Sequence, residues 1–263
     1  MTAPSKTLDL MYFFSPNKSE IGLSQLCQLA AWDKATTYRR VQSLVETGFI
    51  EQNATTKRYR LGPAVLQLAQ TRESTVPRKA GAKGPLLELA NATGETSHVS
   101  VISGNTLYQL VTVESPTHSI QATADTQTRP LHTSSSGLCA LAFGSADLVD
   151  MAQADLFIYT PATTPSARAL HTAIRTTQSS GFGRTTGSFE SDVCSLAAPL
   201  YDQTGLFAGA VSVACVGTRF TPDLEQIAKT QLIKASREIT HNWGGSIPLH
   251  IDKVWAPLLA NSH

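Results

Sequence analysis

Lys34, Thr36, Arg39, Arg40 and Ser43 place three cations and two short hydroxyl side chains within ten residues. At 100° per residue, Thr36, Arg39 and Ser43 share one side of a helix, with Arg40 beside them. A guanidinium can grip both acceptors of a guanine edge, and Thr can meet a base edge or a thymine methyl. Lys34, in the first turn, suits a phosphate. A second basic group, Lys57, Arg58 and Arg60, surrounds a polar loop and suits phosphate contact or minor-groove insertion. Taken alone, each group also reads as a solvated charged surface. Taken together they describe chemistry for reading duplex DNA.

The remaining reactive side chains do not converge. His98, His118, His132 and His171 are not spaced as metal ligands on one element. Glu190 and Asp192 read as solvated loop carboxylates. Cys139 with His132 would make a thiol-imidazole pair, but nothing supplies a third member or an oxyanion hole. Cys27, Cys139, Cys194 and Cys215 form no Cys-x-x-Cys pair, so they read as buried free thiols.

The basic residues need a scaffold, and the pattern supplies one. Ser5–Phe14 reads as a helix. Ser24 caps a second, Gln25–Ala30, and Ala31-Trp32 turns the chain. Asp33 caps a third, which runs to about Thr47 and stops at Gly48. On this third helix Tyr38, Val41 and Val45, with Leu44 at the margin, form the expected core stripe. Phe49–Gln52 and Arg58–Leu61 are expected as short strands around the loop, and Gly62-Pro63 starts a linker helix. This is a winged helix-turn-helix order, with one helix for the major groove.

From Pro77 the pattern changes. A helix to about Ala92 should be kinked or interrupted by Pro85. Extended runs are expected at Ser97–Ile102, Thr106–Val113, Ser119–Ala124, Phe182–Phe189, Val193–Tyr201 and Leu206–Cys215. Helices are expected at Ser136–Phe143, Asp147–Ala154, Ser166–Ser179 and Pro222–Asn242. Hairpins flanked by helices indicate an α+β domain. The expected organisation is a DNA-binding domain at 1–62, a linker helix at 63–76, an α+β domain at 77–245 and an extension at 246–263.

Charge follows this division. Residues 1–62 carry eight Lys/Arg against five Asp/Glu, and the rest carries thirteen against fifteen. The sign suits phosphate contact by the N-terminal part alone. No run is apolar enough for a membrane span, and the N-terminus lacks a signal-peptide pattern, so a cytoplasmic location with no membrane partner is expected.

The chain resembles the IclR family of transcriptional regulators. The resemblance rests on DKATTYRRVQSLVETGFIE (33–51), YRLGPAVLQLA (59–69), LLELANATGETSHVSV (86–101), VESP (113–116), PLHTSSSGLCALA (130–142), SLAAPLYDQTG (195–205) and GAVSVACV (209–216), in family order and spacing. It implies a homodimer or dimer of dimers on a palindromic operator. It also implies a GAF-like C-terminal domain that binds a small-molecule effector; from the residues themselves no cofactor or metal is expected. Recognition-helix contacts carry over to Lys34, Thr36 and Arg39; the family has an apolar residue where Arg40 stands. Effector positions carry over to Ser135, Ser136 and Gly137 at a helix start, and to Thr185, Ser195, Ser212 and Ala214 on strands. His118 and Gln121 fall on a covering loop.

The chain departs from the family at this pocket. It has Thr185 where an acid is common, Ser195 where Cys is common, Ala214 where Ser is common, and Cys194 where Arg is common. Losing an acid beside a helix N-terminus favours an anion. The expected function is a ligand-responsive regulator of a catabolic gene cluster with a small organic acid as effector. The competing readings are a small-molecule enzyme with a vestigial DNA-binding domain, and a winged helix serving as a protein interface.

Overall fold

The computed structural model describes residues 3–15, 18–120, 127–163 and 166–260. The chain divides into two units, Met1–Val76 and Pro77–His263.

In the first unit, α1 (Ala3–Asp9) tightens into a 3-10 turn, Leu10–Phe13, where one continuous helix was expected. α2 (Leu23–Ala30) starts two residues earlier than expected. Its N-cap is Gly22, whose N–H donates to Gln25 Oε1 at 3.2 Å, so Ser24 lies inside the helix. Ala31 takes a left-handed φ of 53° and turns the chain. α3 (Lys34–Glu46) is capped by Asp33, whose carboxylate accepts from Thr36 N–H at 2.9 Å. β1 (Ile50–Gln52) and β2 (Tyr59–Leu61) pair antiparallel, and α4 (Pro63–Thr75) follows with Pro63 in its first turn.

The core stripe of α3 is rotated from the expected one. Thr37, Val41 and Leu44 are buried, while Tyr38 is 49 % exposed and Val45 half-buried. Thr37 tolerates burial because its hydroxyl donates to Asp33 O at 2.9 Å. With a polar residue at the centre of the stripe, apolar side chains alone misjudge its phase. The unit's core is Leu10, Phe14, Ile21, Leu26, Val41, Leu44, Ile50 and Tyr59.

The second unit holds a six-stranded antiparallel sheet of β3 (Thr96–Ser103), β4 (Thr106–Val113), β5 (Thr128–Arg129), β6 (Gly183–Thr186), β7 (Val193–Tyr201) and β8 (Phe207–Val216). Its order is β5-β4-β3-β8-β7-β6. α5 (Arg78–Thr93) and α9 (Pro222–Asn242) pack on each other and on the sheet. α6 (Ser135–Phe143) packs on β6, β7 and β8, with α7 (Asp147–Ala154) and α8 (Ala167–Ser180) beyond it. The expected fold class, a winged helix-turn-helix and an α+β domain joined through a helix, is the one observed.

One expectation for this unit is revised and two elements are added. Pro85 does not break α5. Lacking an N–H, it leaves Gly81 O without its helical donor, and Asn242 Nδ2 donates there at 2.8 Å. The two-residue strand β5 was not foreseen, and most of the run expected at 119–124 lies outside the described residues. The C-terminal extension forms α10 (Leu249–Ala260), which packs on α8 and α9 of its own unit and fully buries Ile251 and Trp255.

Candidate functional site

Two sites emerge, one in each unit. In the first, Lys34, Ala35, Tyr38, Arg39, Ser43 and Glu46 are the exposed residues of α3, with Thr36 half-buried beside them. Lys34 and Arg39 make no ion pair among the described residues. Ser43 Oγ donates to Arg39 O at 3.2 Å, so its hydrogen is engaged by the helix. The Asp33 carboxyl is held below its ordinary 3.8, chiefly by the Thr36 backbone N–H. This cap fixes where the first turn, and hence Lys34, begins.

Arg40 departs from the expectation. Its guanidinium donates to Thr7 Oγ1 at 2.9 Å and stacks on the Trp32 ring at 4.8 Å, so it is engaged within the unit. The wing cations also divide. Arg58 donates to Glu20 O at 2.7 Å and Gln25 Oε1 at 3.1 Å, and Arg60 pairs with Glu51 at 2.5 Å. Lys57 stands at the tip with φ 57° and makes no ion pair among the described residues. Glu20 also accepts from Asn53 Nδ2 at 3.0 Å and Thr56 Oγ1 at 3.3 Å. It ties the wing to the loop before α2. Sequence reading missed Glu20 because its partners lie more than thirty residues away, and missed Tyr38 because an aromatic residue was assigned to the core.

In the second unit, side chains alternate across the sheet. The register sets His98 against Ser212, and Ala214 against Ser195, which faces Thr185. These five share the face on which α6 begins. The approach is close: a Cβ on Gly183 would lie 2.1 Å from Ser135 O. The resulting cavity holds about 480 Å³, open mouth included. It is lined by Ser135, Ser136, Thr185, Ser195, Ser212 and Ala214, all expected from the resemblance.

Three hydroxyls in it are linked. Thr185 Oγ1 lies 2.8 Å from Ser195 Oγ, which donates to Ser135 Oγ at 2.9 Å. Ser134 caps α6 by accepting from Gly137 N–H at 3.0 Å. Gly137 does not line the cavity; a Cβ there would lie 2.3 Å from Pro130 O. His118 does not line it either. Its Nε2 stands 3.6 Å from buried Glu95, which Arg219 grips with two bonds. Gln121 lies outside the described residues.

The cavity also contains residues that sequence reading passed over. His98, Arg129, Thr133, Phe189 and Glu190 line it. Arg129 follows a Ser/Thr-rich stretch on the shortest strand, and Glu190 looks like an ordinary loop acid. Burial lowers the Arg129 pKa, against a raising effect of the Glu190 charge. The thiol-imidazole alternative has no support. Cys139 Sγ points to Ala197 O at 3.4 Å, burial pushes it up to about 12, and His132 Nε2 meets Phe157 O at 2.9 Å. No group of His, Cys, Asp or Glu among the described residues could hold a metal ion. No described helix is long and apolar enough to cross a membrane.

A chain built of these two units has relatives. The IclR helix-turn-helix domain matches residues 3–54, and the bacterial transcriptional regulator IclR C-terminal domain matches residues 74–241. The chain belongs to the IclR family of transcriptional regulators. It is 24% identical to the transcriptional regulator XynR of Escherichia coli K12 over 81% of this chain and 86% of that protein. A solved IclR-type regulator from Silicibacter sp. TM1040 is 34% identical and superposes with a TM-score of 0.89, covering 95% of this chain and 99% of that one. An IclR homologue from Microbacterium hydrocarbonoxydans, solved with 4-hydroxybenzoate, shares the fold at 20% identity and a TM-score of 0.74, covering 92% and 99%. The family and its curated relatives are transcriptional regulators rather than enzymes, and the protein is a DNA-binding transcriptional regulator.

Proposed function

We propose that the protein senses a small organic acid and couples it to occupancy of a palindromic operator controlling a catabolic gene cluster. The observation that carries this reading is Arg129, a half-buried cation in a hydroxyl-lined cavity at the start of α6. The helix N-terminus adds partial positive charge and N–H donors on the same side. Neither Thr185 nor Ser195 opposes an anion there. A structural relative solved with 4-hydroxybenzoate supports an acid of that size. DNA contact is assigned to Lys34, Thr36, Arg39, Ser43 and Lys57, with Arg58 and Arg60 shaping the wing.

The active species is a homodimer or a dimer of dimers. Leu8, Tyr12, Leu66 and Leu68 are exposed, and α4 buries no residue. That apolar surface is more than an isolated winged helix leaves to water. A ligand shifts DNA binding only if it prefers one arrangement of the protein over another.

The test joins calorimetry with a band-shift assay on the full chain. Thr185→Asp adds a second acid to the cavity, beside Glu190. At an effective dielectric of about 20, like charges about 4 Å apart repel by about 4 kcal/mol before relaxation, and a third of that is a tenfold loss. Acid binding should fall at least about tenfold, with DNA affinity in the absence of acid unchanged. A best ligand that is neutral or cationic, or unaltered acid binding in the variant, contradicts the reading. Sedimentation showing a monomer on DNA contradicts the dimer.

A further inference from the structure

A polar chain runs along the sheet into the cavity. Arg129 donates to Gln109 Oε1, Gln109 Nε2 donates to Thr112 Oγ1 at 2.8 Å, and Thr112 Oγ1 lies 3.0 Å from His98 Nδ1. Arginine has no acceptor, so the Gln109 amide oxygen must face Arg129 and its NH2 must face Thr112. Thr112 accepts from that amide, and its contact with His98 Nδ1 ties the ring to the same chain.

The cavity is therefore rich in donors. Arg129 contributes them from the sheet, and Ser135 and Ser136 from α6. Thr133 adds a hydroxyl that is 1 % exposed and has no partner among the described residues. Against all of these stands one acceptor-only group, Glu190. Arg129 and Glu190 feel each other's charge, yet no ion pair within 4.0 Å joins them. Two opposite charges held apart in one cavity are both incompletely compensated. A ligand that spans them with matched groups relieves both. A plain acid relieves only Arg129, and a diacid sets its second carboxylate against Glu190.

We propose that Arg129 and Glu190 are the specificity pair of this cavity: Arg129 takes the ligand's carboxylate, and Glu190 takes a hydroxyl or amine on the same molecule. The inference rests on the organic-acid reading above and narrows it to monocarboxylates that also carry a hydrogen-bond donor.

Calorimetry on the full chain tests it with two matched series. One is benzoate, 4-hydroxybenzoate, 4-aminobenzoate and terephthalate; the other is butyrate, 3-hydroxybutyrate, 3-aminobutyrate and succinate. Benzamide and butyramide serve as uncharged controls. In at least one series the hydroxyl or amine acid should bind about tenfold or more tightly than its parent, with the diacid weaker than the parent. The two arms show whether hydroxyl or amine is preferred. Glu190→Met should erase that preference. Arg129→Met should weaken every acid about tenfold or more, and Arg129→Lys should recover part of the loss. Thermal unfolding of each variant reports whether it folds.

Parent acids that bind as tightly as their donor-bearing relatives overturn the pair. So does a preference that survives Glu190→Met. If Arg129→Met still weakens the acids in either case, the organic-acid reading stands without it. Amides that bind as well as acids, or no acid binding in either series, overturn both.

Discussion

The Trp255 indole fills the room that Gly181 leaves by having no side chain. A Cβ on Gly181 would lie 2.3 Å from Trp255 Nε1 and 2.9 Å from Cδ1. Gly181 also ends α8 with a φ of 77°, the left-handed conformation that costs any other residue energy. Gly181→Ala meets both penalties and should destabilise the second unit by about 2–4 kcal/mol. Trp255→Ala should cost about 3–5 kcal/mol through the cavity it leaves. Trp255→Phe should cost much less, because Nε1 has no hydrogen-bond partner among the described residues. Urea unfolding of the full chain checks all three. A loss below about 1 kcal/mol in Trp255→Ala would show that α10 is not part of the core.

On DNA, the three cations should behave differently. Arg39→Ala should cost about 1–3 kcal/mol and relax preference at one base per half-site. Lys57→Ala should weaken binding to every sequence and reduce the salt slope by about one. Arg58→Ala should lower the stability of the first unit as well as DNA affinity, because its guanidinium holds Glu20 O and Gln25. Salt-dependent binding curves on a selected operator and a scrambled duplex separate these cases. Unchanged base preference in Arg39→Ala would remove α3 as the reading helix.

Thiol chemistry should mark the buried cysteines. Burial pushes Cys139 and Cys215 up to about 12 from an ordinary 9.0. From about pH 9 upward the unfolded thiols lose protons that the folded ones keep, so stability falls as pH rises toward 12. At pH 8, iodoacetamide should label half-buried Cys27 first and reach Cys139 and Cys215 only on unfolding. Peptide mapping by mass spectrometry reads the order. Labelling of native Cys139 at the rate of Cys27 would show that α6 does not seal it.

Strongly punctuated segments were legible from sequence. Asp33 and Gly48 bracket α3, and Pro222 opens α9. What failed depended on partners far along the chain. Pro85 survives inside α5 because of Asn242, and Thr37 is buried because a local bond satisfies it. The cavity was half legible. Alternation along β6, β7 and β8 brought Thr185, Ser195, Ser212 and Ala214 to one face, as the resemblance implied. Arg129 and His98 come from strands whose place across the sheet no local pattern announces.

The linked hydroxyls of Thr185, Ser195 and Ser135 own one hydrogen each. Ser195 spends its hydrogen on Ser135, so the Thr185–Ser195 contact is made with the Thr185 hydrogen. The Ser135 hydrogen is then the one left to offer onward, at the mouth of α6. Three rotors in a row thus share one arrow. A guest with lone pairs at the Ser135 end keeps the arrow as it stands. A guest that donates there must take the remaining lone pair of Ser135 Oγ and turn the Ser135 hydrogen aside. If the proposed acid binds here, the row favours an accepting group at its Ser135 end without moving a backbone atom.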